Sequence, residues 1–241
     1  MPQFELVKQF DLAEAKLQLF NRTEEYYHSI RANIQFSGAD LKVITITSAQ
    51  PNEGKSTTAT GLALSFAKSG FRTLLIDADT RHSVLSGTFK ANGSYQGLTN
   101  FLAGNAELSE IICDTSIDNL MIIPSGPFPP NPASLLQSKT FKSMIEKVRG
   151  LYDYVLIDTP PLGVVIDAAI VSHFSDANLM VVKSGLDKRR TVMRLKEQLE
   201  QTGSVFLGVI LNKHDVGMEQ YGSYGSYGNY GNQGNSRTNR K

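Results

Sequence analysis

Residues 48–57 read Ser-Ala-Gln-Pro-Asn-Glu-Gly-Lys-Ser-Thr. They follow a β-branched apolar run, VITIT at 43–47, and open a segment with helical periodicity. A loop in that setting can enclose a phosphate. Its backbone N–H groups, here around Gly54 and Thr57, face the anion. Lys55 would reach the β- and γ-phosphates of a nucleotide, and the neighbouring hydroxyl of Ser56 would ligate Mg²⁺. The Gly-x-x-x-x-Gly-Lys-Ser pattern is broken at its first position, where Ala49 stands. The plain alternative is a strand–turn–helix with a solvated lysine.

Two further strand ends carry carboxylates. TLLIDADTR ends in Asp77 and Asp79, and YVLIDTPP ends in Asp158. Carboxylates at the carboxyl ends of parallel strands project into the crevice that holds the ligand. Asp158 suits an outer-shell role at Mg²⁺, and Asp77 and Asp79 add two carboxylates near the γ-phosphate. Either of these could accept a proton from an attacking hydroxyl, and the sequence leaves the choice open. A lone strand-end Asp is more often a turn residue. Three of them beside a phosphate loop ask for a chemical reading.

The elements that must position these residues form a regular alternation. Apolar runs recur at 43–47, 73–77, 120–123, 154–158, 179–182 and 206–211, separated by amphipathic helical patterns. The helices are expected to end near Gly70, Gly150 and Gly203. Such alternation predicts an α/β fold with a predominantly parallel sheet flanked by helices. Five of the nine prolines fall in Pro124–Pro132, a stiff loop expected on the ligand side. The chain divides into residues 1–40, polar and helical in the second half, the α/β domain at 41–216, and a tail at 217–241.

Composition narrows the function. The 241 residues are 41% hydrophobic and 20% charged, and 24 Lys and Arg against 23 Asp and Glu give a net charge of +1. That balance argues against nucleic acid as a partner. The single cysteine, Cys113, excludes an intramolecular disulfide and reads as a small core residue. His82, His173 and His214 lack metal-ligand spacing and read as structural or surface residues. The charged N-terminus does not look like a signal peptide, and no apolar run approaches a membrane span. A cytoplasmic location is expected, with membrane contact through a partner.

The tail holds six glycines and no Val, Ile, Leu or Phe, and its tyrosines Tyr221, Tyr224, Tyr227 and Tyr230 are three apart. It is expected to be disordered. As a flexible coil it has an r.m.s. span of roughly 25–30 Å. Beside a phosphate site, the four hydroxyls read as phosphate acceptors.

These segments resemble the Walker A, A′ and B motifs of the bacterial tyrosine kinases, or BY-kinases. The resemblance extends over RANIQFS at 31–37, GLTNFLAG at 97–104 and SGPFPPNPASLL at 125–136. It is closest to the stand-alone cytoplasmic type of streptococcal and lactococcal capsule systems. It implies a P-loop NTPase fold and ATP-dependent autophosphorylation of the tyrosine cluster, regulating capsular or exopolysaccharide synthesis. It also implies that Lys55, Ser56, Asp77, Asp79 and Asp158 carry ATP, Mg²⁺ and catalysis. A membrane-spanning co-polymerase with two spanning helices is the implied activator, and a tyrosine phosphatase resets the cycle. The family's Glu-x-x-Arg-x-x-Arg assembly helix corresponds to Glu25-x-x-His28-x-x-Arg31, which points to a homo-oligomer with its middle arginine replaced. Tyr26 and Tyr27 in that helix read as packing residues. Partitioning ATPases share the phosphate loop but carry a signature lysine where this chain has Gln50. In that superfamily the strand end corresponding to Asn212 reads the adenine edge. An assembly-switching ATPase and a nucleotide-gated scaffold of a polysaccharide exporter are the alternative functions.

Overall fold

The computed structural model describes residues 9–91, 93–185 and 189–213. Its strands are β1 (Gln9–Leu12), β2 (Val43–Ser48), β3 (Thr73–Asp77), β4 (Phe89–Ala91), β5 (Cys113–Thr115), β6 (Leu120–Ile123), β7 (Tyr154–Asp158), β8 (Ala177–Lys183) and β9 (Val205–Asn212). Its helices are α1 (Glu14–Arg22), α2 (Glu24–Ser37), α3 (Lys55–Lys68), α4 (Leu98–Leu102), α5 (Leu108–Ile111), α6 (Pro132–Leu136), α7 (Lys139–Leu151), α8 (Asp167–Ser172) and α9 (Arg189–Glu200).

The strands form one sheet in the order β4-β1-β5-β6-β3-β7-β2-β8-β9. From β6 to β9 every neighbour is parallel. Antiparallel pairing is confined to β1 with β4 and β5 with β6, at one side of the sheet. Side chains alternate between two cores. Ile44, Ile46, Leu75 and Leu156 pack towards α3, with Leu62 and Phe66. Val43, Leu74, Ile76, Val155 and Ile157 pack on the other face, with Phe141, Met144, Ile145 and Val148 of α7. Both faces are thus covered, which is why β2 and β3 read as unbroken apolar runs. The fold is the mostly parallel α/β sheet that the alternation predicts.

Each of the six apolar runs forms a strand. The strands β1, β4 and β5 were not legible, because each is three or four residues long and sets one fully buried side chain inward: Phe10, Phe89 and Cys113. Helix α7 also departs from expectation, because it runs through Gly150 to Leu151 instead of stopping before it. Gly150 does not adopt a left-handed φ, so nothing in its backbone ends the helix there. By contrast, Gly70 and Gly203 both have positive φ just beyond α3 and α9. Cys113 is buried as expected, and burial pushes its thiol up to about 11.

The expected boundary near residue 40 falls in the loop between α2 and β2. The segment before it is docked on the domain: Phe10, Phe20 and Ile34 belong to the same buried cluster as Leu62 and Phe66 of α3. Tyr27 packs there too, edge-on to Phe20 at 6.2 Å. Tyr26 is a correction, since it lies 64% exposed and packs against no core. The tail at 217–241 lies outside the described residues.

Phe10 offers a direct test of this docking. Phe10→Ala should cost about 3–5 kcal/mol in denaturant unfolding, the range for emptying a buried aromatic site. A peripheral segment would cost only about 0.5 kcal/mol or less.

Candidate nucleotide-binding and catalytic site

The sheet register places the chemistry. In the parallel ladder Ile46 of β2 pairs with Asp158 of β7, and Asp158 pairs with Asp77 of β3. Three adjacent strands therefore end together, and the loop at 49–54 leaves β2 at that same end. Lys55 opens α3, behind Gly54 at φ +96°. Gly54 is needed twice over, for its left-handed φ and because a Cβ there would lie 2.1 Å from the Asn212 amide nitrogen. Ala49 does not have a positive φ, whereas Asn52 and Gly54 do, so the loop's first position does not require glycine.

The loop is fastened from below. Glu53 is fully buried, and its carboxylate accepts the N–H of Gln50 at 2.7 Å and of Lys183, at the end of β8, at 3.0 Å. The Asn212 amide donates to the Glu53 carbonyl at 2.8 Å, and the Lys213 ammonium donates to the Asn52 carbonyl at 2.7 Å. The segment after β7 is stitched to β2: Thr47 donates to the Pro160 carbonyl at 2.9 Å and Leu162 N–H to Ser48 at 2.9 Å. Gly163 lets it approach, since a Cβ there would meet the Ala49 carbonyl at 2.1 Å.

Above this frame lies a cleft of about 710 Å³, lined by Gly54, Lys55, Ser56, Thr57 and Asp79. Arg81 and His82 also face it, as do Pro160 and Pro161. The Lys55 ammonium donates to Asp79 at 2.7 Å, stands 3.2 Å from the Ser56 hydroxyl and lies 3.6 Å from Asp158. Burial disfavours its charge, but Asp158 and Asp79 outweigh burial and its pKa is raised. Asp77 sits beneath Asp79, accepting the Ser83 hydroxyl and, at 3.1 Å, the Asp79 N–H. Burial, then the charge of Asp158, pushes the Asp77 carboxyl well above the usual carboxylate range. Burial pushes Asp158 upward too, against the pull of Lys55.

Both carboxylate oxygens of Asp158 are buried without a hydrogen bond among the described residues. Such acceptors fit a cation with its own waters. Among the described residues no three His, Cys, Asp or Glu side chains converge into an all-protein metal cage. That suits Mg²⁺, which typically takes one or two protein ligands and fills the rest with water and phosphate.

The structure thus brings Gly54, Lys55, Ser56, Thr57, Asp77, Asp79 and Asp158 together. Asn212 adjoins the loop, but its amide is spent on the Glu53 carbonyl. On α2, Glu25 is exposed and His28 approaches Glu24 at 3.8 Å, while Glu24 also binds Lys68 of α3 at 2.9 Å. The ion pair of this helix face therefore runs through Glu24, a residue the motif spacing does not include. Arg31 Nε is buried without a hydrogen-bond partner among the described residues. The proline-rich loop lines a separate groove with Thr99 and Asn100, not the cleft. His82 does line the cleft, and its N–H caps Asp79 at 3.0 Å, a role its sequence position does not announce. Sequence position does not signal the anchoring role of Glu53 or the ion pair of Arg81 with the buried Asp167, at 2.8 Å, either. Residues Tyr221, Tyr224, Tyr227 and Tyr230 and His214 lie outside the described residues.

A family model described as an AAA domain matches residues 41–201. The tyrosine-protein kinase CpsD of Streptococcus agalactiae serotype III is 54% identical over 212 residues, covering 88% of this chain and 91% of that protein. The chain belongs to the bacterial tyrosine-protein kinases. The tyrosine-protein kinase YwqD of Bacillus subtilis is 40% identical over 78% of this chain and 80% of its own length. The kinase domain of the Escherichia coli tyrosine kinase ETK superimposes with a TM-score of 0.79 at 28% identity, over 92% of this chain and 95% of that one.

The frame makes a kinase-independent prediction. Glu53→Gln keeps the shape but replaces one of the two accepting oxygens by an NH2 group, so that either the Gln50 or the Lys183 N–H faces a donor. It should cost about 1–3 kcal/mol of stability and weaken nucleotide binding, read by thermal unfolding with and without ATP.

Proposed function

We propose that the chain transfers the γ-phosphoryl group of ATP to tyrosine, with Tyr221, Tyr224, Tyr227 and Tyr230 of its own tail as acceptors. In this role it regulates capsular or exopolysaccharide synthesis. The observation that carries the reading is Asp79: it reaches the cleft surface and is held 2.7 Å from Lys55. A carboxylate at that place can take the phenolic proton as the acceptor oxygen captures the phosphoryl group. Asp77 lies deeper: it does not line the cleft, and its oxygens are engaged by the Ser83 hydroxyl and the Asp79 N–H. We assign Asp79 as the base and Asp77 as the group that holds the Asp79 backbone.

Lys55 supplies fixed positive charge to the phosphates, and the N–H groups of Gly54, Ser56 and Thr57 line their path. Ser56 directly and Asp158 through water would hold Mg²⁺, which when bound supplies further charge neutralisation at the phosphates. Asn212 sets the loop from the base side. Helix α2, with Glu25, His28 and Arg31, is the proposed contact between copies in a homo-oligomer. No helix among the described residues is long and apolar enough to cross a membrane. Recruitment to the inner face of the membrane by a spanning co-polymerase, and resetting by a tyrosine phosphatase, complete the proposal.

Lys55→Met should bind its place without charge and lower tail phosphorylation at least a hundredfold, measured with labelled ATP, since electrostatic stabilisation dominates this reaction. Asp79→Asn should lower turnover with little change in nucleotide affinity, and Asp77→Asn should be milder. A folded Lys55→Met protein with near-normal labelling would overturn the site. Free phosphate without label on the tail would favour an assembly-switching ATPase.

A further inference from the structure

Among the described residues four Lys and Arg side chains line the cleft: Lys16, Lys55, Arg81 and Lys213. Three are committed. Lys55 holds Asp79, Arg81 holds Asp167, and Lys213 donates to the Asn52 carbonyl. Lys16, half-buried on α1, makes no ion pair or side-chain hydrogen bond among the described residues. An ammonium on a cleft wall with no anion of its own is free to pair with one that the cleft binds.

Its position says which anion. Helix α1 starts beside the segment that follows Asp79: Ala13 N–H donates to the Thr88 carbonyl at 2.9 Å, and Leu12 pairs with Phe89. Val84 of that segment lines the cleft as well. Lys16 therefore enters the cleft beside the segment that follows Asp79, whereas Lys213 is tied to Asn52 of the phosphate loop. On the Asp79 side the cleft would hold the transferred phosphoryl group and the acceptor.

We infer that Lys16 is a second phosphate-binding lysine, supplied by the N-terminal segment and entering the cleft beside the segment that follows Asp79. This deepens the kinase reading and rests on it only for the identity of the acceptor. The phosphate has two possible sources: the terminal phosphate of the nucleotide, or a phosphate already carried by a neighbouring tyrosine of the acceptor.

The test compares wild type, Lys16→Gln and Lys16→Arg in two binding arms. The first measures affinity for ATP and ADP with Mg²⁺. The second measures affinity, in the presence of ADP, for a synthetic tail peptide with and without one phosphotyrosine. Loss of a charge-assisted hydrogen bond should weaken one ligand about tenfold relative to its counterpart with one phosphate fewer. Arginine should restore most of that loss. Weakening of ATP alone assigns the nucleotide phosphate, and weakening of the phosphopeptide alone assigns the acceptor. If Lys16→Gln keeps the wild-type ATP-to-ADP and phosphopeptide-to-peptide ratios, the inference is wrong. Because both arms read binding, a wild type that binds ATP yet labels no tyrosine would refute the kinase reading separately.

Discussion

Lys55 is the one ammonium among three carboxylates that the fold buries at the end of its central strands. Asp77, Asp79 and Asp158 are each at most 3% exposed. Removing ions from water costs several kcal/mol apiece, repaid only by partners at short range. One lysine cannot repay three. The balance is met in part by raised carboxyl pKa values at Asp77 and Asp158 and in part by the Ser83 hydroxyl. A carboxylate cluster short of positive charge would favour a cation arriving with the nucleotide, and in the proposed reading the lysine that tethers it is the group that meets the phosphates. Charge shortage and ligand binding are thus two views of one arrangement.

That arrangement has to be held at the cost of much backbone precision. The register Ile46–Asp158–Asp77 fixes the two deep carboxylates side by side. The loop above them is then pinned through Glu53, whose two oxygens join the end of β2 to the end of β8. A buried carboxylate accepting backbone N–H groups is worth more than a neutral acceptor. Arg81 and Asp167 tie the far wall in the same way, with Asp167 fully buried.

How much of this the sequence discloses depends on range. Lys55, Ser56, Asp77, Asp79 and Asp158 are legible because their roles follow from short spacings at the ends of long apolar runs. Glu53 sits inside the most recognisable motif of the chain, yet its partner Lys183 lies 130 positions away, and no local pattern signals it. The pairing of Arg81 with Asp167 spans 86 positions. Strands β1, β4 and β5 escaped because a strand with one inward side chain has no period to detect. Asn212 was legible as a position but not as a contact: the sequence places it at a strand end, and only the fold shows its amide spent on the loop.

The N-terminal segment is where these limits matter most. Its polar composition reads as an appendage, yet it contributes Phe10 to the sheet, Phe20 and Ile34 to the core, and Lys16 to the cleft wall. Helix α1 passes into α2 through the single residue Thr23, and α2 is itself salt-bridged to α3 by Glu24 and Lys68. Helix α3 begins with Lys55. The surface carried by α2 is therefore joined to the phosphate site twice, once through α1 and once through α3. A neighbour held by α2 would therefore bear on two elements of the cleft wall at once, one carrying Lys16 and the other Lys55.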